Sequence, residues 1–182
     1  MKENNYKLEF CFLHKEEITN LLLDEYSKDK IKVFGFLGVT YFGIELLEGL
    51  FETSDWYKVS KAIIVDNKII GIANTSVSRE NDKANLSIFL FNKSKRRLFF
   101  KALTEFIHEL FYEYYFLKID FTCFSFNQDA FRLYENLSKR NYIRKVGFKS
   151  SDFKIGNEYY NTHLYEMKKD QFDIIKAERG IK

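Results

Sequence analysis

Residues 84–140 read ANLSIFLF (84–91), NKSKRRLFFKALTEFIHELFYEYYF (92–116), LKIDFTCF (117–124), SF (125–126) and NQDAFRLYENLSKR (127–140), and their order decides the fold. Phe99, Leu103, Phe106 and Leu110 recur at helical spacing, with Ala102 and Ile107 widening the stripe into one apolar face. That spacing predicts an amphipathic helix from Lys93 to Tyr115. Leu117, Ile119, Phe121 and Cys123 alternate with Lys118, Asp120 and Thr122, as a half-buried strand requires. Asn127 is the expected N-cap of a second helix, with Asp129 in its first turn and Ala130, Leu133, Tyr134 and Leu137 facing inward. Strand, helix and strand imply a right-handed crossover between two parallel strands. Both helix N-termini then lie beside the carboxyl ends of the strands, the edge at which open sheets bind ligands.

The start of the first helix carries an unusual charge pattern. Lys93, Lys95, Arg96 and Arg97 crowd it, although a helix N-terminus already bears about +0.5 charge from its unpaired N–H groups. Four cations at that end invite an anion, and a phosphate-bearing ligand directly after a strand is the usual physical solution. A solvated basic turn is the alternative on charge alone.

The segment Asn127-Gln-Asp-Ala130-Phe-Arg-Leu133-Tyr134-Glu135 resembles the N-x-x-A-x-x-L-Y-E segment of the GNAT superfamily of acyl-CoA-dependent N-acyltransferases. The order of elements from about Lys61 to Met167 fits that superfamily too, most like the branch that acetylates protein N-termini or amino sugars. The resemblance implies a three-layer α/β fold: a central mixed sheet of six or seven strands flanked by helices. It also implies acetyl-CoA as cosubstrate and a primary amine as acceptor, with direct attack in a ternary complex. The backbone of Ile88, Phe89, Leu90 and Phe91 would hold the pantetheine arm and polarise the thioester. The pyrophosphate would meet Ser94, Lys95, Arg96, Arg97, Leu98 and Phe99, with Asn127 at the neighbouring helix. Tyr134 matches the tyrosine that commonly protonates the departing thiolate.

Two departures accompany this resemblance. The superfamily usually carries Arg/Gln-x-x-Gly-x-Gly/Ala at the phosphate loop, and here Arg97 and Phe99 fill both glycine positions. Glycine lets a backbone approach a pyrophosphate closely, so side chains must replace those contacts or binding is weakened. Many relatives also place a basic glutamate near Asn85, and an amide accepts no proton. Glu80 and Asp82, in the preceding turn, are the nearby carboxylates that could act through water. A GNAT-fold module that binds or regulates without catalysis is therefore the second reading. A nucleic-acid-binding domain is the third and weakest, since one basic turn gives few phosphate contacts.

The remainder of the chain fits one domain over residues 1–182, with 170–182 as a polar C-terminal tail or short helix broken at Gly180. Its 182 residues are 46% hydrophobic, 30% charged and 18% aromatic, with 20 Phe, 12 Tyr and no proline; the composition suits a globular protein with an AT-rich, bacterial coding bias. The net charge of +3 is too small to predict a nucleic-acid partner. No apolar run approaches the ~20 residues that cross a bilayer, and Phe10–Leu13 is too short for a secretory leader; a cytoplasmic location is expected. Cys11 and Cys123 fall in apolar patterns as reduced thiols, and His14, His108 and His163 are too scattered for a metal site.

Lys7–Leu13 reads as a first strand and Glu16–Tyr26 as a helix. Residues 33–51 contain four of the eight glycines, at 35, 38, 43 and 49, so a loose helical or loop segment is expected there, with aromatic residues that could wall an acceptor pocket. Ala62–Val65, Ile69–Val77 and Ala84–Phe91 form an antiparallel meander, turning at Asp66-Asn67-Lys68. Tyr142–Phe148 and Tyr159–Met167 complete the sheet. An exposed last strand would let two copies pair as a homodimer.

Overall fold

A short strand, β1 (Lys7–Phe10), turns through a 3₁₀ segment at Cys11–His14 into α1 (Lys15–Lys28) and α2 (Lys30–Leu37), followed by α3 (Glu45–Phe51). The meander follows as β2 (Lys58–Val65), β3 (Lys68–Ser78) and β4 (Lys83–Leu90). Then come α4 (Arg96–Tyr112), β5 (Lys118–Phe124), α5 (Gln128–Lys139), β6 (Arg144–Ile155), β7 (Glu158–Lys168) and α6 (Lys169–Arg179). This computed structural model describes residues 6–37, 45–51, 58–78 and 81–180.

Among the described residues seven strands join one mixed sheet in the order β1-β2-β3-β4-β5-β7-β6. Only the β4/β5 pair is parallel; every other neighbouring pair is antiparallel. Helices cover both faces. On one face α4 buries Phe99, Ala102, Leu103, Phe106, Ile107 and Leu110, the stripe read from the sequence, together with Phe111. Ile119, Phe121 and Cys123 of β5 and Tyr134 of α5 join that layer. On the other face Ile18 and Leu22 of α1, Val33 and Phe36 of α2 and Leu47 of α3 pack over Ala62, Ile72 and Phe89. The three-layer α/β architecture follows from these two apolar faces, each needing its own cover.

Local chemistry fixes the turns. Asp66 and Asn67 adopt φ of 52° and 58°, the left-handed pair that a tight hairpin requires. Gly180 ends α6 at φ 62° and leaves its N–H on the carbonyls of Ala177 and Lys176. Residues 169–179 are therefore a terminal helix rather than a tail.

Three expectations change. The first strand stops at Phe10, because Cys11 turns inward and is fully buried while Phe12 and Leu13 face outward. Residues 30–37 and 45–51 are regular helices despite Gly35 and Gly49; packing of Val33, Phe36 and Leu47 outweighs the propensity cost. Residues 38–44 of that stretch lie outside the described residues. Finally, the last strand is not exposed: β7 sits between β5 and β6, and β6 forms that edge of the sheet. The pairing surface expected on the last strand is already used within the chain.

Candidate functional site

β4 and β5 pair only from Lys83/Lys118 to Leu86/Phe121, after which the two strands part. The antiparallel ladder on the other side of β4 continues to Leu90. Just past it, the Phe91 N–H donates to the Ile70 carbonyl at 2.9 Å. The Phe89 carbonyl also points at β3, lying 2.5 Å from where a Gly71 Cβ would stand. Backbone groups alternate along a strand, so the N–H and C=O of Ile88 and Leu90 face the gap toward β5. Polar groups in such a place need a partner, and a linear amide-bearing ligand can supply one.

The gap opens into a slot of about 670 Å³ that passes through the sheet. Its strand walls are Leu86–Leu90 and Thr122–Phe124. On one face it is bounded by Lys93, Arg96, Phe99 and Phe100 near the start of α4, and by Asn127–Ala130, Leu133 and Tyr134 of α5. On the other face stand Asp29, Ile31, Lys32, Gly35 and Phe36, opposite Phe124 and Phe126. One ligand can thus enter beside two helix N-termini while a second approaches from the opposite side of the sheet.

The mouth beside α4 is built differently from a glycine-rich loop. Asn92 caps a 3₁₀ turn at Lys93–Lys95, and its side-chain oxygen accepts from both the Ser94 N–H (3.0 Å) and the Ser94 hydroxyl (2.7 Å). The Lys95 N–H is bound by the Asn92 carbonyl and the Arg96 N–H by the Lys93 carbonyl. Three backbone donors that could cradle a phosphate are therefore spent inside the turn. What remains is side-chain charge. Lys93 lines the slot and bridges to Asp129 across its mouth at 3.4 Å, a largely exposed pair worth little in itself. Arg96 also lines the slot and lies over the Phe100 ring at 5.5 Å. Lys95 instead pairs with Asp66 at 3.0 Å, and the exposed Arg97 does not line the slot. On α5, Asn127 caps the helix by accepting the Ala130 N–H at 3.1 Å, which leaves its amide donors for a ligand.

Phe99 does not plug the slot. Its side chain is buried against β3, where Gly71 makes room: a Cβ there would stand 2.4 Å from the Phe99 ring. The glycine missing from the loop reappears, in effect, under the aromatic ring that replaced it. Phe99 forms part of the floor at the mouth.

Tyr134 lies on the inner wall. Its ring packs between Phe121 (centroids 5.6 Å apart) and Tyr165 (5.3 Å). Among the described residues none hydrogen-bonds its hydroxyl, and the residue borders the slot. Burial, with a smaller contribution from Cys123, holds its pKa above the ordinary phenol range, so the hydroxyl keeps its proton. Burial likewise pushes the Cys123 thiol up to about 12, and its Sγ leans on the Phe124 and Asn127 carbonyls. A thiol held so firmly in its protonated form is a poor nucleophile.

Of the residues read from the sequence, Ile88, Phe89, Leu90, Arg96, Phe99, Asn127 and Tyr134 are brought together around the slot. Phe91, Ser94, Lys95, Arg97 and Leu98 stand outside it. Asn85 is exposed one rung before the strands part, level with Asp120. Asp82 lies at the opposite end of β4, where its carbonyl binds the Leu117 N–H, and Glu80 lies outside the described residues. Lys93, one of the four cations read at the helix start, and Gly35 and Phe36 of the stretch read as an acceptor wall also line the slot, whereas sequence reasoning missed Thr122, Phe124, Phe126, Asp29, Ile31 and Lys32. The rule that ligands bind at the carboxyl ends of parallel strands points to the end of β5 as much as to that of β4, and would have found Thr122–Phe126.

No protein-family model matches this sequence, and no curated protein matches it. Solved structures do. The spermidine N-acetyltransferase from Vibrio cholerae in complex with CoA and spermine is similar with TM-score 0.70 and 15% identity, over 93% of this chain and 99% of that one. An acetyltransferase from Salmonella typhimurium that modifies the N-terminal serine of a ribosomal large-subunit protein gives TM-score 0.65 and 13% identity, over 90% and 95%. A probable acetyltransferase gives 0.69 and 11%, over 92% and 94%. The likeness is one of fold: this chain has the fold of the GNAT acetyltransferases.

Proposed function

We propose that the protein is an N-acetyltransferase that moves an acetyl group from acetyl-CoA to a primary amine. The observation that carries this reading is the parting of β4 and β5, which leaves the Ile88 and Leu90 backbone groups facing a through-sheet slot with Tyr134 on its wall. A pantetheine arm carries two amides spaced to pair with such a strand, and an unpaired N–H beside it can hold the thioester oxygen as charge develops there. Lys93 and Arg96 stand where the diphosphate would lie.

In this reading the amine enters from the α1–α2 side in its neutral form and attacks the thioester carbon. The new C–N bond forms, the C–S bond breaks, and the surplus amine proton leaves to water. The departing sulfur takes a proton from the Tyr134 hydroxyl, which is replenished from solvent. Cys123 takes no part, because a thiol with a pKa of about 12 supplies too little thiolate for an acyl-enzyme. Transfer is direct, in a ternary complex.

A second reading, a module that binds acyl-CoA without catalysis, is favoured by Asn85, which stands where many relatives carry a base. Coenzyme release separates the two. Acetyl-CoA should raise the melting temperature under either reading, while free thiol appears with an amine panel only under the first. Absence of a thermal shift would reject both.

The turn at Lys93–Lys95 yields a further expected result. Because side chains replace backbone donors there, Arg96→Ala should weaken acetyl-CoA binding about 10- to 100-fold, the range for a lost charge-assisted hydrogen bond. Arg97→Ala should change it less than about twofold, as expected for an exposed charge screened by solvent. Calorimetric titration of both variants checks this; equal effects would mean that the diphosphate lies elsewhere.

The same turn predicts that affinity falls as ionic strength rises, since exposed point charges are screened within about 8–10 Å at physiological salt. A binding constant that is flat between low and high salt would contradict side-chain capture of the phosphates.

A further inference from the structure

We propose that the acceptor is a mono-amine carried on an apolar aryl or alkyl body, seated on the α1–α2 side of the slot against Phe126. The proposal rests on the N-acetyltransferase reading and goes beyond it by assigning the substrate class. That side of the slot is aromatic. Phe124 and Phe126 stack at 5.5 Å, Tyr160 meets Phe126 edge-on at 5.0 Å, and Phe36 closes the opposite wall. Gly35 permits this arrangement, since a Cβ there would stand 2.6 Å from the Phe126 ring. The absence of a side chain at that point of α2 lets the ring lean against the helix while its neighbours line the space.

Charge on this side is sparse and specific. Asp29 is the one carboxylate among the described residues that line it, and Lys32 is the one cation. The Lys32 ammonium is held 4.3 Å over the Phe89 ring and 2.7 Å from Glu25. Asp29 can balance a single ammonium as it arrives. A polyamine would carry further ammonium groups beside the like charge of Lys32, with no second carboxylate among the described residues on this side to pair them. An apolar body, by contrast, gains from every ring it covers.

The test is binding rather than turnover. The full chain is titrated calorimetrically with 2-phenylethylamine and separately with spermidine, with and without saturating CoA. Phenylethylamine should bind at least about tenfold more tightly than spermidine, roughly what a large buried apolar contact supplies. Phe126→Ala should weaken phenylethylamine about tenfold while leaving CoA affinity unchanged. Asp29→Asn, an exposed and structurally mild change, should weaken both amines several-fold and keeps the test open if Phe126→Ala fails to fold.

Tighter binding of spermidine, or wild-type phenylethylamine affinity in Asp29→Asn and in a folded Phe126→Ala, would overturn the proposal. Failure of CoA to bind would instead remove the N-acetyltransferase reading, and the amine titration without CoA distinguishes the two failures.

Discussion

Tyr134→Phe should lower turnover about 10²-fold, the scale of a positioned proton donor, with the Michaelis constant for acetyl-CoA little changed. The substitution isolates the hydroxyl cleanly. The ring is held by Phe121 and Tyr165, and none of the described residues hydrogen-bonds the oxygen, so phenylalanine keeps the packing and breaks no protein contact. Burial raises the phenol's pKa, which makes it a weaker acid than free tyrosine. The same dry wall raises the basicity of a sulfur leaving beside it from its ordinary value near ~8.5. Proton transfer as the C–S bond breaks therefore remains matched. Steady-state kinetics with acetyl-CoA and a saturating amine measures the effect. Unreduced turnover would confine Tyr134 to packing.

Gly71→Ala should cost about 1–3 kcal/mol of stability, the usual penalty for overpacking a filled core, and should weaken acetyl-CoA binding at the same time. The added Cβ would stand 2.4 Å from the Phe99 ring and 2.5 Å from the Phe89 carbonyl. The ring is part of the slot's lining and the carbonyl belongs to the strand that walls it, so relieving either clash disturbs the slot. Adding Phe99→Leu should recover part of the loss, because the two sites share one space; a coupling of roughly 0.5–3 kcal/mol is typical of contacting pairs. Denaturant unfolding of the single and double variants measures it. Strict additivity would mean that Gly71 and Phe99 do not depend on each other.

The fold was largely legible because two periodicities are clean. The α4 stripe and the β5 alternation each admit one reading, and together they fix a parallel pair with a helix across it. Tyr134 and Asn127 could be placed because they sit at defined steps of a short segment. Other features were hidden for physical reasons. The Cys11–His14 turn begins as apolar as the strand before it, and hydrophobicity alone does not separate strand from a tight turn. Gly35 reads as a helix breaker until Phe126, 91 positions away in the chain, is seen resting on it. The basic turn at Lys93–Lys95 invites a phosphate in sequence, yet its backbone donors are taken up by the Asn92 side chain and by the Asn92 and Lys93 carbonyls. Gly71 carries no signal at all unless Phe99 is known to lie beneath α4.

The central claim is that the opening between β4 and β5 receives the pantetheine arm of acetyl-CoA. A crystal structure of the complex tests it most directly. The arm should run between Ile88–Leu90 and Thr122–Phe124, with its amides on the free groups of Ile88 and Leu90, its diphosphate near Lys93 and Arg96, and its sulfur beside Tyr134. A cofactor bound elsewhere on the surface, with the two strands unoccupied between, would contradict the account.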